Sequence, residues 1–495
     1  MKRTMIETHD DSRYGMTLRH QQSLFPTHPA WFPTHPAATL ALLFLLGFLS
    51  LSFVAEAQTI GTSARLTGMG NSSVALVRGL DALNVNPALL VPSDGVVVSF
   101  GILPFGAQAG ADFMDYTTYE QYFTGTANEK GKMEPTHLGT ADKHAILGTF
   151  QSDVGHFTHD IRYTLGALMV STRFLTVGLS ITERTGGNIA FPRSFAEFMF
   201  FGNEPGRTYD FSETAISSSW TRDYALTVAQ EFRLFRRIPL LVGASFKLVH
   251  GYGYFGIERF DSRFTTDPSS YEVHGTADMV ARYAGSENAV FANNGFHYTL
   301  FPDPVGSGFG IDVGAHVKIN RNFSAGISLV DLGAVSWNRR TYEISTNEDF
   351  SVDDITTSDQ VEEIRTRLNG QERPVSSFST SLPAAMIVGG VLTVPDMPAR
   401  GRDWHFTFAW RQGLNDVAGN TTTPRIGIGT EIELMRNVAF RFGANLGGIR
   451  PVTFGAGIGF IADNFKLDIG SMDITPHLTS SFSAVALGIS SHWDI

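Results

Sequence analysis

The feature that most constrains this chain is a pair of alternating segments near its C-terminus, Pro424–Leu434 and Val438–Leu446. Side chains on a strand point to opposite faces with a period of two, so the pair predicts a two-faced hairpin. One face is apolar and uncharged, whereas the other carries Glu431, Glu433 and Arg441 among glycines. Such a hairpin suits a soluble sandwich, whose apolar face packs on a core. It equally suits a membrane barrel, whose apolar face meets lipid and whose polar face surrounds a lumen.

Alternation of this kind recurs from residue 161 to the end of the chain. The predicted strands are Ile161–Ser171, Phe174–Glu183, Trp220–Phe232, Leu240–His250, Gly308–Ile319, Phe323–Leu332, Ala384–Val394, Asp403–Gln412, Pro424–Leu434, Val438–Leu446, Thr453–Ile461, Asn464–Asp473 and Ser483–Trp493. Short turns such as 172–173 and 462–463 alternate with long links such as 184–219 and 251–307. Outer-membrane barrels have short turns on one rim and long loops on the other. The alternating lengths therefore favour a transmembrane antiparallel barrel over stacked soluble sandwiches.

Composition agrees with a barrel and excludes several functions. Charged residues make up only 17% of the chain, below the roughly 25% of ordinary soluble proteins. The 50 glycines and 39 phenylalanines suit many strands bordered by aromatic girdles. A net charge of −11, without any basic stripe, argues against nucleic-acid binding. The absence of cysteine fits an export route and excludes a thiolate metal site. No cofactor is predicted.

The N-terminus carries an export signal. Ala37–Val54 is apolar, four basic residues precede it, and small residues at Ala55 and Ala57 fit a signal-peptidase site. We predict a cleaved signal peptide over residues 1–57. The alternative is a membrane anchor, which typically needs about 20 apolar residues with flanking charges.

The segment Gln58–Val91 does not alternate, and it predicts two short helices or turns, roughly Ser63–Leu76 and Asp81–Leu90. Three motifs follow one another in it: Gly68-Met69-Gly70 with Val74-Ala75 after it, then Asp81-Ala82, then Asn86-Pro87-Ala88. In this respect the chain resembles the FadL-like outer-membrane barrels of the long-chain fatty-acid transporter type, including relatives associated with type IX secretion. In that family these motifs mark a small N-terminal plug, or hatch, inside the barrel.

The resemblance implies an all-β, transmembrane antiparallel β-barrel of about 14 strands in a Gram-negative outer membrane. It implies a plug over residues 58–92 and a barrel over 93–495. An even strand number requires one strand before Ile161. Val96–Leu103 and Lys143–Gln151 both qualify; the former is preferred, which leaves an irregular excursion over 104–160.

Two sets of site residues follow. The resemblance assigns gating to the plug positions Gly68, Met69, Gly70, Asp81, Asn86, Pro87 and Ala88. The inward parity of the strands assigns lumen lining to Asp312, His316, Lys318, Arg411, Glu431, Glu433 and Arg441.

Two of the long links are unusual. Residues 347–373 carry eight acidic and three basic residues, with a predicted helix at Ser358–Leu368. A solvated loop is the preferred interpretation, and a cation site at Asp349, Asp353 and Asp354 is the alternative. The 251–307 link is rich in aromatics, which predict a girdle and a packed loop or, alternatively, a surface that gathers a hydrophobic ligand. These aromatics are Tyr252, Tyr254, Phe255, Phe260 and Phe264.

Catalysis is not expected. The Gly251–Gly256 segment satisfies G-x-G-x-x-G, but no βαβ unit surrounds it. The serine-hydrolase elbow, the zinc-protease motif and the Walker motif are missing from the sequence. An acid–base cluster of His316, Asp312 and Lys318 is the best enzymatic alternative, although charged residues that line a wet lumen explain it more simply.

The predicted function is therefore passive uptake of a hydrophobic, fatty-acid-like small molecule through a plugged lumen, in contact with outer-membrane lipid. The alternative is a non-transport scaffold or shuttle, whose loops bind secretion-machinery or surface proteins.

Overall fold

The computed structural model describes residues 63–92, 97–127, 133–234, 238–288, 299–352, 370–395, 403–435, 437–447, 452–462, 464–478 and 482–495. The predicted signal peptide, the predicted helix Ser358–Leu368 and the candidate cation ligands Asp353 and Asp354 lie outside these residues.

Antiparallel strands dominate the chain. They are β1 (Val98–Gly101), β2 (Phe105–Ala111), β3 (Thr126–Ala127), β4 (Met133–Glu134), β5 (Val154–Ser171), β6 (Thr176–Pro192), β7 (Thr208–Asp210), β8 (Ala215–Leu234), β9 (Ile238–Thr266), β10 (Val273–Ala284), β11 (Gly306–Lys318), β12 (Phe323–Trp337), β13 (Thr341–Val352), β14 (Gln371–Pro374), β15 (Phe378–Ser381), β16 (Ala385–Val394), β17 (Trp404–Gly413), β18 (Arg425–Met435), β19 (Val438–Leu446), β20 (Val452–Ile461), β21 (Phe465–Asp473) and β22 (Ala484–Asp494).

The helices are short. The α-helices are α1 (Ala64–Gly68), α2 (Tyr116–Phe123), α3 (Thr140–Leu147), α4 (Arg193–Phe201) and α5 (Thr475–Leu478), and 3₁₀ turns occur at Gly79–Ala82, Pro87–Leu90 and Ser286–Asn288. Within the described ranges, every helix falls short of the length and apolarity that a membrane-spanning helix needs.

The strands close into a barrel of fourteen. β1 and β2 together form the first barrel strand, because both pair with β5 on one side and with β22 on the other. The ladder then runs through β5, β6, β8, β9, β11, β12, β15 with β16, and β17 to β22, each antiparallel to the next. The predicted all-β antiparallel barrel is confirmed.

The two faces of the wall differ as a membrane barrel requires. On β11, Phe309, Ile311 and Val313 are 60%, 48% and 39% exposed on the outer face, while Asp312 between them is 2% exposed on the inner face. Most of the exposed large hydrophobic side chains lie on such outward positions. The outer apolar belt therefore matches the hydrocarbon layer, and the inner face is polar.

The structure corrects several predicted boundaries. β9 continues to Thr266 and is followed by β10, so much of the 251–307 link is strand and its aromatics lie on β9. The preferred Val96–Leu103 strand exists as β1, but after a bulge it continues as β2 to Ala111. The rejected alternative around Lys143 is helix α3. The apolar alternation ends where a strand leaves the lipid, and the sequence signal ends with it.

Strand β9 also runs on beyond the long-loop rim, where it carries an extension of the same sheet. Its last residues pair with β7 and β10, β10 pairs with β13, and β13 pairs with β14. Helix α4 packs on one face of this protruding sheet, where Phe198 meets Phe264 with ring centroids 4.8 Å apart. The acidic residues predicted as a loop from Asn347 therefore begin within β13, and Asp349 lies on a strand.

Candidate functional site

The lumen is filled in layers, and β11 shows their order. From the long-loop rim to the short-turn rim, its inward residues are Asp312, Gly314, His316 and Lys318. Asp312 belongs to a layer of buried charges, Gly314 faces the N-terminal segment, and the last two line a polar cavity. Each layer has its own chemistry.

The N-terminal segment, residues 63–92, lies inside the barrel because the wall facing it is made of glycines. A Cβ at Gly443 would lie 2.3 Å from the carbonyl carbon of Met69, and a Cβ at Gly243 would lie 2.4 Å from that of Pro87. A Cβ at Gly314 would meet Asn86 Oδ1 at 2.1 Å. Backbone of the segment therefore packs directly on backbone of the wall, which leaves no room for a side chain between them.

Polar contacts fix the same segment. The hydroxyls of Ser72 and Thr407 are 2.5 Å apart, and Ser328 Oγ donates to the carbonyl of Val85 at 2.6 Å. Arg65 forms an ion pair with Glu431 on β18. Three separate wall strands thus hold the segment.

The structure brings the predicted plug residues together inside the lumen. Gly70 adopts a positive φ of 63°, which favours glycine. Asn86 caps the turn that follows it, since its Oδ1 accepts from the N–H of Ala88 at 3.1 Å. Asp81 accepts from Ser63 Oγ at 2.9 Å. The full set is Gly68, Met69, Gly70, Asp81, Asn86, Pro87 and Ala88, and each side chain or glycine is in contact with the segment itself or with the wall.

A polar cavity of about 540 Å³ lies between the segment and the short-turn rim. Of the predicted lumen residues it contains His316, Lys318, Glu431, Glu433 and Arg441. Arg65, Arg78 and Asp81 of the N-terminal segment form its inner wall. The predicted acid–base cluster is split, because Asp312 lies beyond Gly314 in the layer of charges while His316 and Lys318 line the cavity.

The layer of buried charges lies on the other side of the segment. Lys247 Nζ is 2.8 Å from Asp312 Oδ2 and 2.5 Å from Asp331 Oδ1. A second carboxylate, Asp160, accepts from Arg184 Nε at 3.1 Å. We name these residues, with Arg162, Asp223, Arg411 and Arg425, the charged layer. A dehydrated apolar molecule cannot cross it without separating these pairs.

The loop between β17 and β18, residues 414–424, folds inward and covers the charged layer. Asn188 Nδ2 donates to the carbonyls of Val417 at 2.8 Å and Asn420 at 3.0 Å, and Arg184 Nη2 donates to that of Gly419 at 3.1 Å. Asn420 and Thr421 are buried. No local pattern predicts this insertion, because its partners Asn188 and Arg184 are more than 200 residues away in the chain.

One of the irregular places in the wall is the point where β1 passes into β2. Leu103 has a positive φ of 56°, and three wall residues here face two on β22. An apolar groove of about 550 Å³ lies outside this bulge. A narrow crevice beside Leu80 and Leu83 of the N-terminal segment lies inside it. Gly101 and Ala167 line both, so a single thickness of wall separates groove from crevice.

Sequence reasoning missed Arg65, Lys247 and Asp331, although the period-two pattern could have placed Lys247 on the inner face. Asp331 could not be placed so, because it sits at a bulge with a φ of 57°. The described residues contain no group of three potential metal ligands.

Comparisons with known proteins give one family and several structures. A family model described as "Family of unknown function (DUF5723)" matches residues 89–471. No curated protein matches the sequence. Similar solved structures include the toluene transporter TbuX of Ralstonia pickettii, with 13% identity over 88% of this chain and 98% of that one, at a TM-score of 0.42. A FadL homologue of Pseudomonas aeruginosa has 12% identity over 89% of this chain and 100% of that one, at a TM-score of 0.46. The toluene transporter TodX of Pseudomonas putida has 10% identity over 90% of this chain and 99% of that one, at a TM-score of 0.42.

These three solved structures have both a low sequence identity and a low TM-score to this chain. At such identities they concern the fold and not the solute, and the barrel itself rests on the strand pairing described above.

Proposed function

Because the chain belongs to the family of unknown function DUF5723, we propose its function from its own structure: passive passage of small hydrophobic molecules through an outer-membrane barrel that its N-terminal segment gates. In this proposal the short-turn rim faces the periplasm and the long-loop rim faces outward. Residues 1–57 are the cleaved signal, and 58–92 act as the plug.

The observation that carries the proposal is the pairing of the outer groove with the inner crevice at the β1–β2 bulge. The groove is lined by apolar side chains such as Leu168, Leu179 and Leu226. An apolar solute that leaves water for this groove, or for the acyl chains around it, is stabilised by about 25 cal/mol for each Å² of its surface removed from water. The charged layer opposes a straight path along the barrel axis, whereas the bulge borders the N-terminal segment directly.

Gating then requires the N-terminal segment to move. Leu80 and Leu83 line the crevice, Asp81 lines both the crevice and the polar cavity, and the cavity leads to the short-turn rim. Displacement of the segment joins crevice and cavity, so its glycines and the Asn86–Pro87–Ala88 turn act as hinges and seals without any chemistry of their own.

A cross-link that fixes the segment tests this proposal. The chain contains no cysteine, and the side-chain oxygens of Ser72 and Thr407 are 2.5 Å apart, so the double variant S72C/T407C places two thiols in reach of a disulfide. We expect uptake of radiolabelled oleate to stop on oxidation and to return on reduction. The measurement uses Gram-negative cells that lack their own fatty-acid channel.

The matched control joins two wall strands and leaves the segment free. Thr227 and Ser245 also face the lumen, with hydroxyls 2.9 Å apart, and T227C/S245C should carry oleate equally well oxidised or reduced. Uptake by the S72C/T407C variant that is indifferent to oxidation excludes a moving plug. Uptake by the native protein no greater than that of cells without it excludes transport of this solute class.

A scaffold or shuttle for secreted proteins is the second candidate, and the protruding sheet favours it. The end of β9 rises beyond the rim together with β10, β13 and β14, and β9 presents charged side chains there to solvent, such as Arg259, Asp261 and Arg263. Replacing residues 258–281 by a short Gly–Ser turn should abolish delivery of secreted proteins to the cell surface under this candidate, with the barrel still folded. Under the transport proposal the same change leaves oleate uptake intact.

A further inference from the structure

Two arginines of the charged layer face each other, and neither forms a salt bridge within the part of the chain that the structure describes; Asp331 and Asp160 attract them only from farther away. Arg411 on β17 and Arg425 on β18 are direct partners in the strand register. Only 8% of Arg411 and 5% of Arg425 is exposed. Like charges directly opposite on neighbouring strands repel each other, and burial strengthens the repulsion because water no longer screens it.

The other buried cations of the layer all have carboxylate partners. Lys247 has Asp312 and Asp331, and Arg162 and Arg184 share Asp160. Among the described residues Arg411 forms no ion pair, and its Nε and Nη2 have no hydrogen-bond acceptor.

Arg425 also forms no ion pair among the described residues. Its Nη1 contacts Met472 Sδ at 3.6 Å, and a thioether sulfur is a neutral and weak acceptor. A buried guanidinium without an acceptor loses its hydration and gains nothing in return. Two buried guanidinium groups side by side, both short of acceptors, form a place that suits an anion.

We propose that a small oxyanion, a carboxylate or a phosphate-like group, binds between Arg411 and Arg425. The planar guanidinium fork matches the geometry of such anions and binds them through two parallel hydrogen bonds. One bound anion supplies acceptors to both arginines and removes their repulsion.

The position of this site gives the anion a structural consequence. Arg411 and Arg425 are the inward residues at the two ends of the inserted loop 414–424. The loop itself is held by Asn188 and Arg184. An anion at its stem ties β17 to β18 where the loop departs and so stabilises the covered state of the lumen. Binding at this site does not depend on the proposed transport.

Thermal unfolding of the purified full-length protein in detergent tests the site. Sodium phosphate is compared with sodium chloride at matched ionic strength, and sodium dodecanoate below its micellar concentration forms a second arm. We expect phosphate or dodecanoate to raise the melting temperature of the native protein. The apparent affinity for phosphate or dodecanoate should fall roughly tenfold to a hundredfold in R411Q and in R425Q, since each variant loses a charge-assisted pair of hydrogen bonds to the anion.

Three comparisons make the result decisive. In chloride alone R411Q should melt no lower than the native protein, because it removes the repulsion. R259Q, on the exposed protruding sheet, should respond to the anion as the native protein does. A response in the dodecanoate arm only assigns the site to an amphiphile's carboxylate, and a response in the phosphate arm only assigns it to a free anion.

Equilibrium dialysis of the native protein with radiolabelled phosphate and dodecanoate guards against variants that fail to fold. Binding of neither ligand at millimolar concentration overturns the proposal. Equal responses of the native protein and both variants overturn it as well.

Discussion

Arg65 of the N-terminal segment and Glu431 of β18 form a two-point ion pair inside the barrel. Arg65 Nε lies 2.8 Å from Glu431 Oε2, and Nη2 lies 2.5 Å from Oε1. Glu431 is 2% exposed and also accepts from Arg441 Nε at 2.6 Å. Arg441 in turn contacts Asp468 at 2.6 Å. The segment is thus joined to a charge network that spans several strands of the wall.

Substitution E431Q should loosen the N-terminal segment while the barrel stays folded. Removing one partner of a buried ion pair typically costs about 3–5 kcal/mol, because the remaining charge stays buried and unpaired. Here Arg65 and Arg441 lose the negative charge that they share, and only Arg441 keeps a second carboxylate, Asp468. Amide hydrogen exchange should show lower protection over residues 63–92, and the barrel should still migrate differently in gels before and after boiling.

The control for that experiment is D403N, which removes a carboxylate from the same cavity wall. It should leave the protection of residues 63–92 unchanged. Equal protection in E431Q and the native protein would show that the ion pair does not hold the segment.

The glycines of the wall make a second prediction. In G443A the new methyl group would lie 2.3 Å from the carbonyl carbon of Met69, a backbone atom that cannot swing away. Overpacking of this kind typically costs about 1–3 kcal/mol. The midpoint of urea unfolding should fall, and residues 63–92 should become accessible to protease.

Gly166 provides the matched control, because a Cβ there meets nothing within 4 Å. G166A should unfold at the native midpoint. If G443A and G166A behave alike, close backbone packing is not what seats the segment.

The wall of this protein could be predicted from its sequence because lipid and lumen impose opposite polarities on alternate residues. The hairpin from Arg425 to Leu446 matches the prediction to within a residue at each end. β9 does not, because beyond His250 its outward side no longer meets lipid and the apolar alternation stops.

The lumen could be predicted only in part. The period of two assigns Glu431 and Arg441 to the inner face, but their shared partner Arg65 lies some 366 residues away from Glu431 in the chain. The insertion of residues 414–424 depends on Asn188 and Arg184, which nothing local to that loop reveals. Long-range contacts of this kind follow from barrel closure and not from any local pattern.

The lipid-facing belt makes a third prediction. Ile428 is 49% exposed on the outer face of β18, and I428K places a charge against acyl chains. Near the middle of the bilayer such a change typically costs about 2–4 kcal/mol. Equilibrium refolding into lipid vesicles, followed by tryptophan fluorescence, measures the loss. T276K, on the exposed face of β10 in the protruding sheet, should refold as the native protein does. If T276K loses as much folding free energy as I428K, the outer face of β18 is not the lipid-facing belt.

The protruding sheet should loosen in acid because of Glu343 on β13. Its carboxylate accepts from Arg282 Nε at 2.9 Å and Arg373 Nη2 at 2.5 Å. Hydrogen bonds from Arg373 and then Arg282 hold the pKa of Glu343 below its usual value. A lowered folded-state pKa means that the stabilisation is fully present above the unfolded pKa, about 4.3, and is lost as pH falls through the folded value.

Amide exchange in β13 and β14, corrected for intrinsic rates, should therefore be flat from pH 7 to about 5 and accelerate below about 4. E343Q should exchange fast at every pH and show no step, that is, no acceleration in acid, since an amide cannot carry the charge that Arg282 and Arg373 bind. E348Q, an exposed carboxylate on the same strand, should keep the step. A step of equal size in E343Q would assign the acid sensitivity of this sheet to another group.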